Sequence, residues 1–180
     1  MSVTLFPIEA VPLCAAWADR FASANGFRAL MIKGSVLTDQ GLRGNHTSVD
    51  VDVLVDPAVY DDYLASLRHA GWDVKIESTV AGAAERHATT VYHQAWPITI
   101  DVHRRFPGFL ADPRVVFEAL WQHRTEATVA HTQVTTLDPV AHAALQALHY
   151  LRSPTSGLAM LYLPDLIERT PEALGAAGLV

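Results

Sequence analysis

Alternating polar and apolar residues mark the clearest strand of the chain. Ser48–Val55 reads SVDVDVLV, which has the period of two typical of a half-buried strand. The alternation puts Asp50 and Asp52 on one face, about 6–7 Å apart along the backbone, and the valines on the other face. A second strand pattern, Pro97–His103, carries Asp101. If these two strands pair, the three carboxylates lie in one patch.

The rest of the pattern predicts helices interleaved with short strands. Apolar residues recur at helical spacing over residues 8–24, before Asn25-Gly26, and in a helix from Pro57 that Gly71 stops. The other predicted elements are strands at 27–32, 72–76 and 88–93, a loop around 80–86, a helical turn at 35–40, a helix from Asp112-Pro113, a β-like segment at 125–137, and helices at 139–152 and 157–169, separated by Ser153-Pro154.

Because strands and helices interleave without strict βαβ alternation, the pattern predicts an α+β fold with a mixed, partly antiparallel sheet flanked by helices. With 180 residues, we expect a core domain over residues 1–137 and a short C-terminal helical extension over 138–180. The apolar runs are short and interrupted by charge, so we expect no membrane span and no signal peptide. The single Cys14 excludes an internal disulfide, and a cytoplasmic location is the default expectation.

The net charge of −6 disfavours a large nucleic-acid footprint, which needs clustered Lys and Arg. Only Arg86-His87 and Arg104-Arg105 form local basic pairs. A small or cationic partner fits this balance better than a duplex does, although a local patch for RNA stays open.

Three carboxylates in one patch repel one another unless cations neutralise them. A Mg²⁺ site for phosphate chemistry is therefore the economical interpretation of Asp50, Asp52 and Asp101. The competing interpretations are a solvated strand face for the first two and an edge-strand or turn residue for the third.

Four pieces of sequence, in order, carry a resemblance to a known family. They are Leu30–Gly34, Gly41–Arg43, Asp50–Val55 and Ile100–His103. This set resembles the nucleotidyltransferase pattern of the DNA polymerase β superfamily, and more closely its bacterial, poorly characterised nucleotidyltransferase-like branch. The resemblance covers residues 27–106 well. It implies a nucleotidyltransferase fold and an enzyme, dependent on two Mg²⁺ ions, that moves an NMP from an NTP to an acceptor hydroxyl and releases pyrophosphate.

On this interpretation Asp50 and Asp52 hold the ion that carries the triphosphate. Asp101 joins at the ion that activates the acceptor hydroxyl, or acts as its general base. Gly34 and Ser35 bind phosphate through backbone N–H groups and the serine hydroxyl, where a strand turns into a short helix. Standing alone, Lys-Gly-Ser is more often an ordinary loop.

Three further residues have two interpretations each. Lys33 bonds phosphate or forms a salt bridge to a nearby carboxylate. Arg43 makes a second phosphate contact, or else pairs with Asp50 or Asp52 or lies in solvent. His103 shares the strand face of Asp101, within reach of substrate, or is a structural histidine. Other histidines, such as His142 and His149, form no zinc motif and are predicted to line a helix face.

The predicted partners are an NTP and an unidentified, small-molecule acceptor, and a homodimer is one way to complete the acceptor site. Two alternatives from other classes stay open. One is a catalytically silent module that binds a nucleotide or a partner protein on the same fold. The other is a toxin-like enzyme that modifies tRNA or protein.

Overall fold

The computed structural model describes residues 5–44, 48–75, 87–152, 157–169 and 171. The loop predicted around 80–86 and the break predicted at Ser153-Pro154 lie outside these residues. Part of the predicted extension over 138–180 does too, so the proposed domain boundary stays a prediction.

Within the described ranges, six helices flank one mixed, seven-stranded sheet, which confirms the predicted α+β fold. In chain order the elements are α1 (Pro7–Ala24), β1 (Ala29–Ile32), α2 (Gly34–Asp39), β2 (Asp50–Val55), α3 (Tyr60–His69), β3 (Asp73–Val74), β4 (Ala88–Tyr92), β5 (Thr99–His103), α4 (Pro113–Gln122), β6 (Arg124–Val129), β7 (Thr132–Leu137), α5 (Pro139–Arg152) and α6 (Gly157–Arg169). None of the helices in the described ranges has both the length and the apolar character needed to cross a membrane.

Two elements differ from the sequence pattern. The helix predicted from Pro57 begins only at Tyr60, because the Asp56 side chain accepts a hydrogen bond from the Ala58 N–H at 2.9 Å and closes a turn first. The β-like segment at 125–137 is a hairpin of β6 and β7, with a turn that the sequence pattern did not resolve. Its turn residues, Ala130 and His131, have φ values of 49° and 60°, as a tight two-residue hairpin turn requires.

The strands lie in the order β3-β4-β5-β2-β1-β7-β6. β2 pairs with β5 in parallel and with β1 antiparallel, so it lies at the centre of the sheet. On the other side of β1, β7 runs parallel, and the buried Thr136 hydroxyl donates a hydrogen bond to the Met31 carbonyl at 2.6 Å. The end of β1 is therefore held from both sides.

Each face of the sheet has its own hydrophobic core. On one face the β2 valines pack with residues of α1 and α3, among them Cys14, Tyr63 and Leu67. On the other face Leu30, Ile32 and Leu54 pack with residues of α4 and α5, among them Phe117 and Leu145. Since β2 is apolar on both faces at its carboxyl end, its polar positions are confined to its beginning.

Cys14 is fully buried in the first of these cores. Burial raises the pKa of its thiol to about 12, because the apolar surroundings disfavour the thiolate.

Two buried tyrosines give a matched test of this packing. Among the described residues the Tyr63 hydroxyl has no hydrogen-bond partner, whereas that of Tyr60 bonds with Thr89 Oγ1 at 2.8 Å and with the Val102 carbonyl at 3.1 Å. We expect Tyr63→Phe to leave the free energy of unfolding unchanged or raise it by up to about 1 kcal/mol, and Tyr60→Phe to lower it by about 1 kcal/mol. Urea unfolding of both variants checks this, and an equal loss in the two would contradict it.

Candidate active site

The pairing of β2 with β5 brings the three aspartates to one face of the sheet. Asp52 lies opposite Asp101 in the parallel register. Asp50 lies opposite Thr99, two residues nearer the start of each strand. On the far side of β5, Thr90 of β4 lies opposite Asp101. The strand alternation in the sequence therefore leads to the same patch that the structure displays.

One oxygen of each carboxylate is held by a neighbouring donor. Asp50 Oδ1 accepts from the Ser48 hydroxyl at 2.8 Å, and Asp101 Oδ1 accepts from the Thr90 hydroxyl at 2.7 Å. For Asp52 the donors are the side chains of Lys33 and His103. Within the described residues no hydrogen bond reaches the Oδ2 atom of any of the three.

Asp52 is buried, with 7% of its side chain exposed. Its Oδ1 accepts from Lys33 Nζ at 2.6 Å and from His103 Nε2 at 2.8 Å. Burial acts to raise the pKa of this carboxyl, but the hydrogen bond from His103 and the charge of Lys33 outweigh it, and the pKa lies below its ordinary value. Asp52 is therefore ionised at neutral pH. The Lys33 ammonium also lies 5.8 Å from the centre of the Phe106 ring, which adds a cation–π contact.

The donor set suits a hard cation, yet it is not a complete protein cage. Carboxylate oxygens are the ligands that Mg²⁺ prefers, and Mg²⁺ is usually held by one or two carboxylates with substrate phosphates and water. Within the part of the chain that the structure describes, no group of three or more His, Cys, Asp or Glu side chains is placed to hold a metal ion. The free Oδ2 atoms fit a cation that is bound together with its phosphate substrate.

The Lys33-Gly34-Ser35 turn joins β1 to α2 beside these carboxylates. Lys33 has φ 63° and ψ −140°, and Gly34 has φ 63°. Only glycine adopts such positive values freely, so the Lys33 backbone is strained. In the described structure neither Gly34 N–H nor Ser35 N–H donates a hydrogen bond, and Ser35 is exposed. This turn therefore presents two unpaired backbone donors.

The Arg43 side chain contacts the Lys33-Gly34-Ser35 turn, and its proposed contact with phosphate stays a prediction. Its Nη2 donates to the Gly34 carbonyl at 2.8 Å, while its Nε is buried without a partner among the described residues. Burial lowers the pKa of this guanidinium, and the charges of Asp52 and Asp50 act in the opposite direction. The Arg43 side chain thus bonds to a backbone carbonyl of the turn, and its Nε–H has no hydrogen-bond partner among the described residues.

His103 lies two residues after Asp101 on β5 and forms a hydrogen bond with Asp52. The ring is buried, with 6% of its side chain exposed, and lies 6.1 Å from the Phe106 ring and 5.9 Å from the His87 ring. Nε2 bonds Asp52, and Nδ1 has no hydrogen-bond partner in the described residues. In this arrangement the His103 ring orients the Asp52 carboxylate, and a contact with substrate stays a prediction.

Sequence reasoning missed a histidine that contacts the turn. His142, predicted to line a helix face, is fully buried, and its Nε2 accepts a hydrogen bond from the Lys33 N–H at 2.8 Å. The two residues are 109 positions apart, and no local pattern connects them. Thr90 was also missed, because alternation gives the face of a residue on its own strand and only the observed register pairs Thr90 with Asp101.

Comparison with known proteins supplies the family. The family described as an uncharacterised nucleotidyltransferase matches residues 18–168, which is most of the chain. Among curated proteins, no sequence shows a significant match.

Solved structures with low sequence identity share the fold. ANT(2'')-Ia in complex with adenylyl-2''-tobramycin is 13% identical with a TM-score of 0.56, over 93% of this chain and 89% of that one. An antigenic nucleotidyltransferase-like protein from Paracoccidioides brasiliensis is 11% identical with a TM-score of 0.56, over 90% of this chain and 76% of that one. Together, the family match and the shared fold confirm that the chain belongs to the uncharacterised nucleotidyltransferase family and is a nucleotidyltransferase.

Proposed function

We propose that the protein is a Mg²⁺-dependent enzyme that transfers an NMP from an NTP to a hydroxyl of a small-molecule acceptor and releases pyrophosphate. The observation that carries this proposal is the register that sets Asp52 opposite Asp101, beside the turn of Lys33, Gly34 and Ser35. Family membership supports the reaction class. The metal, the donor and the acceptor are the parts that we infer.

On the donor side, the unpaired N–H groups of Gly34 and Ser35, with the Ser35 hydroxyl, bind phosphate oxygens of the NTP. Asp50 and Asp52 would hold Mg²⁺, since the Oδ2 atom of each accepts no hydrogen bond within the described residues. Bound Mg²⁺ supplies neutralisation of the phosphate charge and lowers the pKa of the acceptor hydroxyl. Lys33 and His103 fix the orientation of Asp52, since both bond its Oδ1.

On the acceptor side, Asp101 is the candidate base, with a further role as metal ligand. Its carboxylate takes the proton from the acceptor hydroxyl as the oxygen attacks the α-phosphorus. The bond between that phosphorus and the bridging oxygen breaks in line, and pyrophosphate leaves. Thr90 holds Oδ1 of Asp101, so the other oxygen faces no competing donor within the described residues.

The acceptor class follows from charge and from one structural neighbour. The chain carries a net charge of −6, which favours a cationic ligand over a polyanion. The neighbour ANT(2'')-Ia was solved with adenylyl-2''-tobramycin. We infer a small, cationic acceptor with free hydroxyls, and an NTP as the donor.

The donor site is tested by calorimetric titration of non-cleavable analogues of ATP, CTP, GTP and UTP, with and without Mg²⁺. We expect at least one analogue to bind wild type only when Mg²⁺ is present, because phosphate and carboxylates repel without it. The same analogue should bind Asp50→Asn far more weakly. Binding that ignores both Mg²⁺ and Asp50 would contradict the proposed site.

Turnover is tested by release of pyrophosphate with candidate acceptors such as aminoglycosides. We expect Asp50→Asn, Asp52→Asn and Asp101→Asn each to lower kcat by about 10²–10³-fold or more, since each removes charge from the reacting centre. Asp61→Asn, on the exposed surface of α3, is the matched control and should retain full activity. Retained turnover in both Asp50→Asn and Asp52→Asn would refute the mechanism, and Mg²⁺-dependent binding without turnover by wild type would favour a silent nucleotide-binding module.

A further inference from the structure

A chain of hydrogen bonds from α5 reaches the backbone of Lys33, whose side chain contacts Asp52. The Lys33 N–H donates to His142 Nε2 at 2.8 Å, and His142 Nδ1 lies 2.9 Å from Gln40 Oε1. The Gln40 amide then donates to the Leu137 carbonyl at 2.7 Å. These hydrogen bonds therefore link the start of α5, the end of α2 and the end of β7 to the backbone N–H of Lys33.

The partners define the state of the imidazole. Since Nε2 accepts from an amide, the proton must be on Nδ1, where it is donated to Gln40. The ring is fully buried, and burial lowers the pKa of His142 to about 3, with the nearby charge of Arg43 acting in the same direction. His142 is thus neutral in the folded protein at neutral pH.

The backbone that His142 holds is the strained one. Lys33 has a φ of 63° and a ψ of −140°, which a residue with a Cβ adopts only when its surroundings impose it. Three contacts do so: His142 on the Lys33 N–H, Asp52 on the Lys33 ammonium, and Arg43 on the Gly34 carbonyl. Of these three, His142 alone contacts the Ile32–Lys33 peptide, whereas Arg43 contacts the Gly34–Ser35 peptide.

We propose that His142, supported by Gln40, is a positioning residue for nucleotidyl transfer: it fixes the Lys33 peptide so that the next two N–H groups stay unpaired for phosphate and the Lys33 ammonium stays on Asp52. The proposal rests on the proposed function, because it requires the turn to receive the NTP phosphates. His142 itself touches no substrate. Its effect is transmitted through the Lys33 backbone.

The choice of substitution follows from this geometry. His142→Gln keeps an acceptor for the Lys33 N–H and a donor for Gln40, whereas His142→Leu removes the hydrogen-bond partner of both groups. His69→Gln is the matched control, because His69 is exposed on α3 and its side chain bonds, among the described residues, to a carbonyl of its own helix, that of Ala65 at 2.8 Å.

The pH dependence of unfolding tests whether His142 is buried and neutral in the folded protein. The charges that face His142 are those of Arg43 and Lys33, which lower its pKa, and Asp138, which raises it. Because the ring takes up a proton on unfolding, its contribution to stability is complete above pH 6.5 and is lost as the pH falls towards about 3. As the pH falls through this window, we expect the unfolding equilibrium constant of wild type to rise about tenfold more per pH unit than that of His142→Gln. Equal pH slopes for the two proteins would overturn the neutral, buried state on which the proposal depends.

The deciding experiment compares wild type, His142→Leu, His142→Gln and His69→Gln. For each, Mg²⁺-dependent binding of a non-cleavable NTP analogue and the kinetics of pyrophosphate release are measured, with hydrogen exchange of the Lys33 amide. We expect His142→Leu to lose about 10²-fold in kcat/KM for the NTP, since misplacement by about 1 Å costs that much. KM for the acceptor should not change, and the Lys33 amide should exchange faster. His142→Gln should recover most of the activity.

The outcomes separate this inference from the function on which it rests. If wild type neither binds the analogue nor releases pyrophosphate, the proposed function fails and the inference falls with it. If wild type is active and His142→Leu matches it, the inference alone is overturned. Should His142→Leu not fold, Gln40→Leu removes the support for Nδ1 at a half-exposed position, and we expect the same selective loss in kcat/KM for the NTP. Full activity in Gln40→Leu would likewise refute the role of the hydrogen bonds that support His142.

Discussion

A buried carboxylate at the centre of the sheet is the constraint on which the site depends. Asp52 is charged and nearly inaccessible, and such a group is tolerated only with partners that compensate for its lost hydration. The partners come from both neighbouring strands: Lys33 follows β1, and His103 ends β5. The strand order β5-β2-β1 and the charge compensation therefore require each other. A slip by one residue in β2 would turn Asp52 into the valine core.

The turn after β1 gathers the remaining parts. β1 is paired by β2 on one side and by β7 on the other, so its last residue leaves the sheet at a fixed point. There the chain takes a strained conformation that side chains of Arg43, Asp52 and His142 hold in place. Strain at such a point is typical of functional sites, because unpaired backbone donors persist only where the surroundings impose them.

Much of this arrangement was predictable from the sequence, and the reasons are local. The period of two in β2 and β5 gives the face of each aspartate, and the spacing of apolar residues gives α1. The start of α3 was misjudged because Asp56 closes a turn that the proline signal hides. His142 was beyond reach for a different reason. Its partner lies 109 residues away, and in sequence a histidine that accepts from a backbone amide looks the same as one on a helix surface.

Cys14 gives the molecule a built-in reporter. It is the single cysteine, it is inaccessible beneath the sheet, and its thiol stays protonated at neutral pH. Since only a thiolate reacts readily, a labelling reagent reaches it solely when α1 separates from the core. The labelling rate under native conditions thus measures how often the sheet loses its α1 cover, without any engineered probe. A ligand that stabilises only the core on the opposite face of the sheet, around Leu30 and Leu54, would slow the labelling of Cys14 only if the two cores open in one cooperative step.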